Sequence, residues 1–195
     1  MTELFNNKYR ISSARLQKCN YANAGMYFIT ICTANRHCYF GHCNDAIMQL
    51  FEIGKIAETE WIKSIELRPD MNLELGEFVV MPNHFHGIIM IGDNEYNNDL
   101  DGRGDGRDAM HRVSTTNNPP NKFAPQSKNL ASIIRGFKSA VTMYARKNHI
   151  EFAWQPRFHD HVIRSPDEFE RISEYIRNNP AKWNGDRFYR KMIDG

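Results

Sequence analysis

The sequence lacks the features that would place it in several large classes. Its four cysteines, Cys19, Cys32, Cys38 and Cys43, form no CxxC pair, which argues against a structural zinc knot or a redox dithiol. No apolar run approaches the roughly 20 residues of a membrane span, and residues Met1 to Arg10 are polar where a signal peptide would carry its apolar core. These absences predict a cytoplasmic chain with reduced thiols and no membrane partner. Net charge is small too, +2 over 195 residues, so bulk charge points to no partner.

The distribution of charge says more than its sum. Between Asp45 and Asp108 there are fourteen acidic and five basic residues, and between Pro120 and Arg164 eight basic and two acidic. A cationic second half suits a polyanion, and nucleic acid is the commonest one. The candidate contacts there are Arg135, Lys138, Arg146, Lys147 and Arg164. Arg10, Arg15 and Lys18 join them from a segment that also holds Tyr9 and Tyr21, a mixture able to grip phosphates and stack a base. A solvated charged face is the plainer explanation of the same residues.

At 195 residues with 41% hydrophobic content the chain fits one domain, 1–195. The run Gly25 to Thr33 is β-branched and aromatic and predicts a strand. Ile47, Leu50, Phe51, Gly54, Ala57, Trp61 and Ile65 recur at helical spacing and predict a helix over Asn44 to Ile65. Leu73 to Val80 is a second strand, turned by Pro82-Asn83 into a third in an antiparallel hairpin. Gly92 to Lys128 has no apolar rhythm and predicts a flexible insertion. Leu130, Ile133, Ile134, Phe137, Val141 and Tyr144 mark a second helix, and Phe152 to Arg164 a fourth strand interrupted by Pro156. A last helix starts at the N-cap Ser165, has Pro166 at its first position and Glu168 completing a capping box, and ends near Asn179 before Pro180. This order of elements predicts an α+β ferredoxin-like sandwich. Its antiparallel sheet has four to five strands, with helices on one face and an extra C-terminal helix.

The third strand carries the chemistry. In Met81-Pro82-Asn83-His84-Phe85-His86-Gly87-Ile88-Ile89-Met90-Ile91, side chains alternate faces with period two, so His84 and His86 share one side while Phe85, Ile89 and Ile91 face a core on the other. A lone strand histidine is usually a satisfied polar residue. A same-face pair in an apolar strand is different, because burying each imidazole without a partner costs about 1–3 kcal/mol. Two neutral imidazoles suit a divalent cation. On the last helix Tyr175 and Asn179 are four apart, about 40° around the axis and one turn along it. If that helix lies beside the histidine strand, Asn179 can lend an amide oxygen to the ion and Tyr175 can act as an oxygen nucleophile on a phosphate. Tyr144 is a rival nucleophile that continues its own helix's core stripe. His159 and His161, another same-face pair, are either outer partners of the site or zinc ligands alongside His84 and His86.

Met81-Pro82-Asn83-His84-Phe85-His86 followed by an apolar strand resembles the HUH motif of single-tyrosine transposases. Tyr175-Ile176-Arg177-Asn178-Asn179-Pro180 looks like the nucleophile helix of their REP-associated branch. The likeness extends through Arg15-Leu16, Tyr27-Phe28-Ile29-Thr30, Phe137-Lys138-Ser139, Trp154-Gln155 and Asp160-His161-Val162-Ile163-Arg164, in order and over nearly the whole chain outside the insertion. The resemblance implies cleavage and rejoining of single-stranded DNA at hairpins such as repetitive extragenic palindromes, with Mg²⁺ or Mn²⁺ as cofactor and a 5′-phosphotyrosine intermediate. By it, His84, His86 and Asn179 are metal ligands, Tyr175 is the nucleophile, and the protein works as a monomer or homodimer. The residues alone leave two other readings open: a DNA-binding module of the same fold without cleavage, and a zinc-dependent hydrolase.

Overall fold

The computed structural model describes residues 24–97 and 127–189. Arg10, Arg15, Lys18 and residues 98–126 of the expected insertion lie outside the described residues. Besides three short 3-10 helices, six strands and three α-helices are described: β1 (Gly25–Cys32), β2 (Gly41–Asn44), β3 (Ile47–Leu50), α1 (Glu52–Glu66), β4 (Leu73–Met81), β5 (His84–Ile91), α2 (Leu130–Lys147), β6 (His159–Ile163) and α3 (Pro166–Arg177). Strands β4, β5, β1 and β6 form one antiparallel sheet in that spatial order. With the central strands β1 and β5 flanked by the second and fourth strands of the motif, this is the ferredoxin-like sandwich expected from the sequence.

The alternation of side chains across the sheet divides the molecule into two layers. Tyr27, Ile29, Ile31, Phe85, Ile89 and Val162 face α1 and α2 and join Trp61, Ile133, Phe137 and Val141 in the main core. Aromatic rings dominate its centre, with Trp61, Phe85 and Phe137 at centroid separations of 4.9 to 5.4 Å. On the opposite face Ile88 and Ile163 pack against Ile172 and Ile176 of α3 in a smaller apolar cluster. The third helix therefore sits on the side of the sheet to which His84 and His86 point.

Two local expectations are corrected. The helix predicted over Asn44 to Ile65 starts only at Glu52, and the residues before it form the β2–β3 hairpin. Its turn places Asp45 and Ala46 at φ values of 48° and 63°, the left-handed pair of a two-residue turn more often built with Asn-Gly. Ile47 and Leu50 fall in phase with the true helix by coincidence of spacing. Gly54 then lets α1 approach the β2 entry: a Cβ there would stand 2.3 Å from the Phe40 carbonyl oxygen. The fourth strand is shorter than its apolar pattern, His159–Ile163, and Trp154 contributes only an isolated bridge to Thr33. Pro156 separates the two.

Candidate active site

The site begins at the β4–β5 turn. Asn83 is fully buried, and its amide N–H donates to the backbone carbonyls of Phe188 at 2.8 Å and Arg36 at 3.2 Å. Carbonyls only accept, so the other end of the amide is the oxygen, 3.0 Å from Nδ1 of His84. Nδ1 must then carry the proton, and Nε2 presents a lone pair. His86 is set the same way. Its Nδ1 lies 2.8 Å from Oγ1 of Thr30, its register partner on β1, with the Ile29 backbone also in reach. Its Nε2 is left to accept the Tyr175 hydroxyl at 3.2 Å. Hydrogen bonds behind each ring thus aim both Nε2 atoms the same way, the arrangement typical of metal-ligating histidines.

The last helix supplies the remainder. Ser165 caps it by accepting from the Glu168 N–H, and Ile172 and Ile176 seat it on the sheet. That seating leaves Tyr175 at the lip, 38% exposed, and carries Asn179 inside at 1%. The Asn179 amide N–H reaches toward the Asp186 carboxylate at 3.5 Å. The Asn179 side chain lies within reach of His84, and with Nδ1 of His84 carrying the proton, both the Asn179 Oδ1 and Nε2 of His84 are buried without a hydrogen-bond donor among the described residues. Both orphans are electron-pair donors, so neither can satisfy the other. A cation, which takes lone pairs, resolves a pocket of two imidazoles and one amide oxygen. The residues present therefore fit a divalent metal.

Electrostatics keep both imidazoles neutral. Burial, reinforced by the neighbouring His86 and by Arg36 and Arg187 and opposed only weakly by the Asn179 side chain, holds the His84 pKa well below its usual value. Burial and then Arg187 bring His86 down to about 3. Both rings are neutral at pH 7, as ligation requires. Burial and the Asp186 carboxylate raise the Tyr175 pKa, against smaller opposing effects from Asn179 and Arg187. The phenol rests protonated.

His84, His86, Tyr175 and Asn179 are thus brought together as the sequence predicted. His159 and His161 are not. They stand exposed on the edge strand β6, with β1 lying between them and the first pair, and successive strands are about 4.8 Å apart. Among the described residues no group of three or more His, Cys, Asp or Glu could hold a metal, which overturns the four-histidine zinc reading. His161 instead meets the Glu168 carboxylate at 2.8 Å. Tyr144 is no rival, since its hydroxyl donates to Glu52 from a helix on the other face of the sheet. The cations of α2 share that far face. Arg135, Lys138 and Arg146 line a groove of 660 Å³ beside Trp154 that neither imidazole lines, although Lys138 also acts electrostatically on Cys32, the β1 register partner of His84. The ammonium of Lys138 is already bound to the carbonyls of Gln155 and Arg157. Arg164 and Lys147 are exposed, and the Arg164 N–H donates to Glu168.

Sequence reasoning gave no individual role to the residues behind the two imidazoles and Asn179: Thr30, Asn83, Asp186, Trp183 and Phe188. The rings of Trp183 and Phe188 wall His84 at centroid distances of 6.0 and 4.6 Å. Only Asn83 carried a signal, by standing next to His84 in a strand turn.

The chain is 37% identical over 178 residues to a Haemophilus influenzae protein described as uncharacterised, covering 91% of this chain and 92% of that one. It belongs to the family of that Haemophilus protein. No protein-family model matches. The family's fold is shared with a REP-associated tyrosine transposase solved bound to a REP hairpin, at a TM-score of 0.51 and 20% identity over 90% of this chain and 73% of that one. A Deinococcus radiodurans protein provisionally described as a transposase gives a TM-score of 0.43 and 14% identity over 91% of this chain and 97% of that one. Among the described residues no helix is long and apolar enough to cross a membrane.

Proposed function

We propose that this protein is a metal-dependent transposase-type enzyme that cleaves and rejoins single-stranded DNA beside a hairpin, with Tyr175 as nucleophile. The observation that carries the reading is the 3.2 Å approach of the Tyr175 hydroxyl to Nε2 of His86, on the helix that also delivers Asn179 to His84. The fold, shared with a transposase solved on a REP hairpin, supports the choice of substrate.

His84, His86 and Asn179 would hold the ion. Bound Mg²⁺ or Mn²⁺ would polarise the scissile phosphate and ease ionisation of the phenol. The chain's own groups do the rest. The Tyr175 hydroxyl gives up its proton to solvent and its oxygen attacks phosphorus, the bond from phosphorus to the 3′ oxygen breaks, and that oxygen takes a proton from solvent and leaves as a 3′-hydroxyl. The 5′ end stays on the protein as a phosphotyrosine. Attack by a second 3′-hydroxyl reverses the step and rejoins the strands. The half-exposed lip position of Tyr175 lets a strand reach it while both imidazoles stay dry.

The test is incubation of the full chain with a hairpin oligodeoxynucleotide bearing unpaired flanks, in Mn²⁺. Wild type is expected to cleave and to leave an SDS-resistant complex, while Tyr175→Phe binds but does neither. Equal cleavage by the two proteins would refute the mechanism. Binding without any adduct in wild type would assign the chain to the non-cleaving class.

A further inference from the structure

Two arginines that the sequence reading did not single out stand at this site. We infer that Arg36 and Arg187 form a two-guanidinium clamp for the phosphate that Tyr175 attacks, an inference that rests on the function proposed above.

The first observation is position. Each guanidinium carbon lies 4.5 Å from the centre of the Phe188 ring, and that ring is itself 4.6 Å from His84 and 6.0 Å from His86. Both charges therefore sit one aromatic ring away from the paired imidazoles. The second is their partners. Arg36 donates through Nη1 to the Arg187 backbone carbonyl at 3.1 Å, and among the described residues neither arginine is in an ion pair with a carboxylate. Most other cations near α3 are spent: Arg177 holds Glu77 and Glu170, and Arg171 meets Glu168.

The third is backbone strain. Asn35 and Arg36 are consecutive non-glycine residues at φ 51° and 57°, a left-handed pair that persists only when its surroundings impose it. Here they do. Thr33 Oγ1 donates to the His37 carbonyl, the Arg36 N–H donates to Thr33, and the buried Asn83 amide donates to the Arg36 carbonyl. Asn83 is also the residue that fixes the tautomer of His84. One side chain thereby locks the ligand and the arginine turn in a single arrangement. Its second carbonyl partner, Phe188, adjoins Arg187, so the same amide positions both halves of the clamp.

Phosphate recognition by such a pair is chemically natural, since guanidinium forks match two phosphate oxygens and strengthen as charge develops there. The clamp would grip the non-bridging oxygens from the side of Phe188, leaving Tyr175 to approach phosphorus from α3.

The experiment is a binding scan on the full chain. Hairpin oligodeoxynucleotides with unpaired flanks, each carrying one neutral methylphosphonate at a successive flank position, are measured by fluorescence anisotropy in Ca²⁺ and again in EDTA. Wild type is expected to lose about tenfold in affinity at one position. Arg36→Gln and Arg187→Gln should each lose affinity on unmodified DNA and show a smaller methylphosphonate penalty at that position than wild type, with Arg36→Lys and Arg187→Lys recovering part of the affinity. An undiminished methylphosphonate penalty in both Gln variants, or wild-type affinity on unmodified DNA, overturns the clamp. Melting temperatures within a few degrees of wild type identify folded variants, and the Lys forms serve where a Gln form is unfolded. Adduct formation by wild type, read separately, tests the cleavage reading, so the two can fail independently.

Discussion

At the scale of single residues the site is organised from Asn83. Its amide holds Phe188, Arg36 and His84 at once, in complete burial. Asn83→Ala strands two carbonyls and one imidazole N–H, and should cost about 3 kcal/mol in urea unfolding while also weakening Mn²⁺ binding. Asn83→Asp keeps an acceptor for His84 but no donor for the carbonyls, so it should recover only part of the metal affinity. The histidines themselves impose a pH dependence. Both have folded pKa values below the ordinary 6.5, with His86 at about 3. The unfolded chain therefore binds more protons between those limits, and stability present above pH 6.5 should fall as pH drops toward 3. The loss is on the order of 4 kcal/mol for His86 alone. Chemical denaturation at pH 7.5 and 4.5 should already show about 2.7 kcal/mol of that loss, and His86→Gln should flatten the slope. The same-face pairing of His84 and His86 could be read from period two alone. The role of Asn83 could not, because its meaning depends on a carbonyl 105 residues away in sequence.

At the scale of elements the deciding piece is α3. Its start was legible because a cap is a local event: Ser165 accepts from Glu168 as its sequence position demands. Ser165→Ala should therefore cost about 1 kcal/mol in thermal unfolding and, by loosening the helix that carries Tyr175, slow adduct formation. The reciprocal half of the capping box is corrected. The Glu168 carboxylate accepts from the Arg164 N–H and from His161 instead of turning back to Ser165, since the histidine on β6 offers a charge-assisted partner. The β2–β3 hairpin was illegible for a different reason. A turn made by Asp45 and Ala46 lacks the glycine that would advertise its positive φ. Ala46→Gly should relieve that strain and raise stability by about 0.5 kcal/mol, read as a higher urea midpoint.

At the scale of the molecule, the sheet separates stability from chemistry. One face is an apolar layer covered by α1 and α2, and the other carries the imidazoles under α3. The ferredoxin-like order was legible because its periodicities are strong and its strands long. Which face each cation occupies was not, since Arg135 and Arg146 belong to a helix whose apolar stripe fixes them far from the site. The sequence distributes positive charge over its second half, yet among the described residues the guanidiniums that act on the imidazoles come from Arg36 and Arg187, one in each half. Charge patterning in sequence could not locate them.

The central claim is that the phenol at the mouth of the two-imidazole pocket becomes joined to DNA. Protease digestion of the protein after reaction with a hairpin oligodeoxynucleotide in Mn²⁺, followed by mass spectrometry, tests it most directly. The account predicts one peptide bearing a nucleotide 5′-phosphate on Tyr175. A nucleotide attached to any other residue, or strand cleavage with no attachment at all, would contradict it.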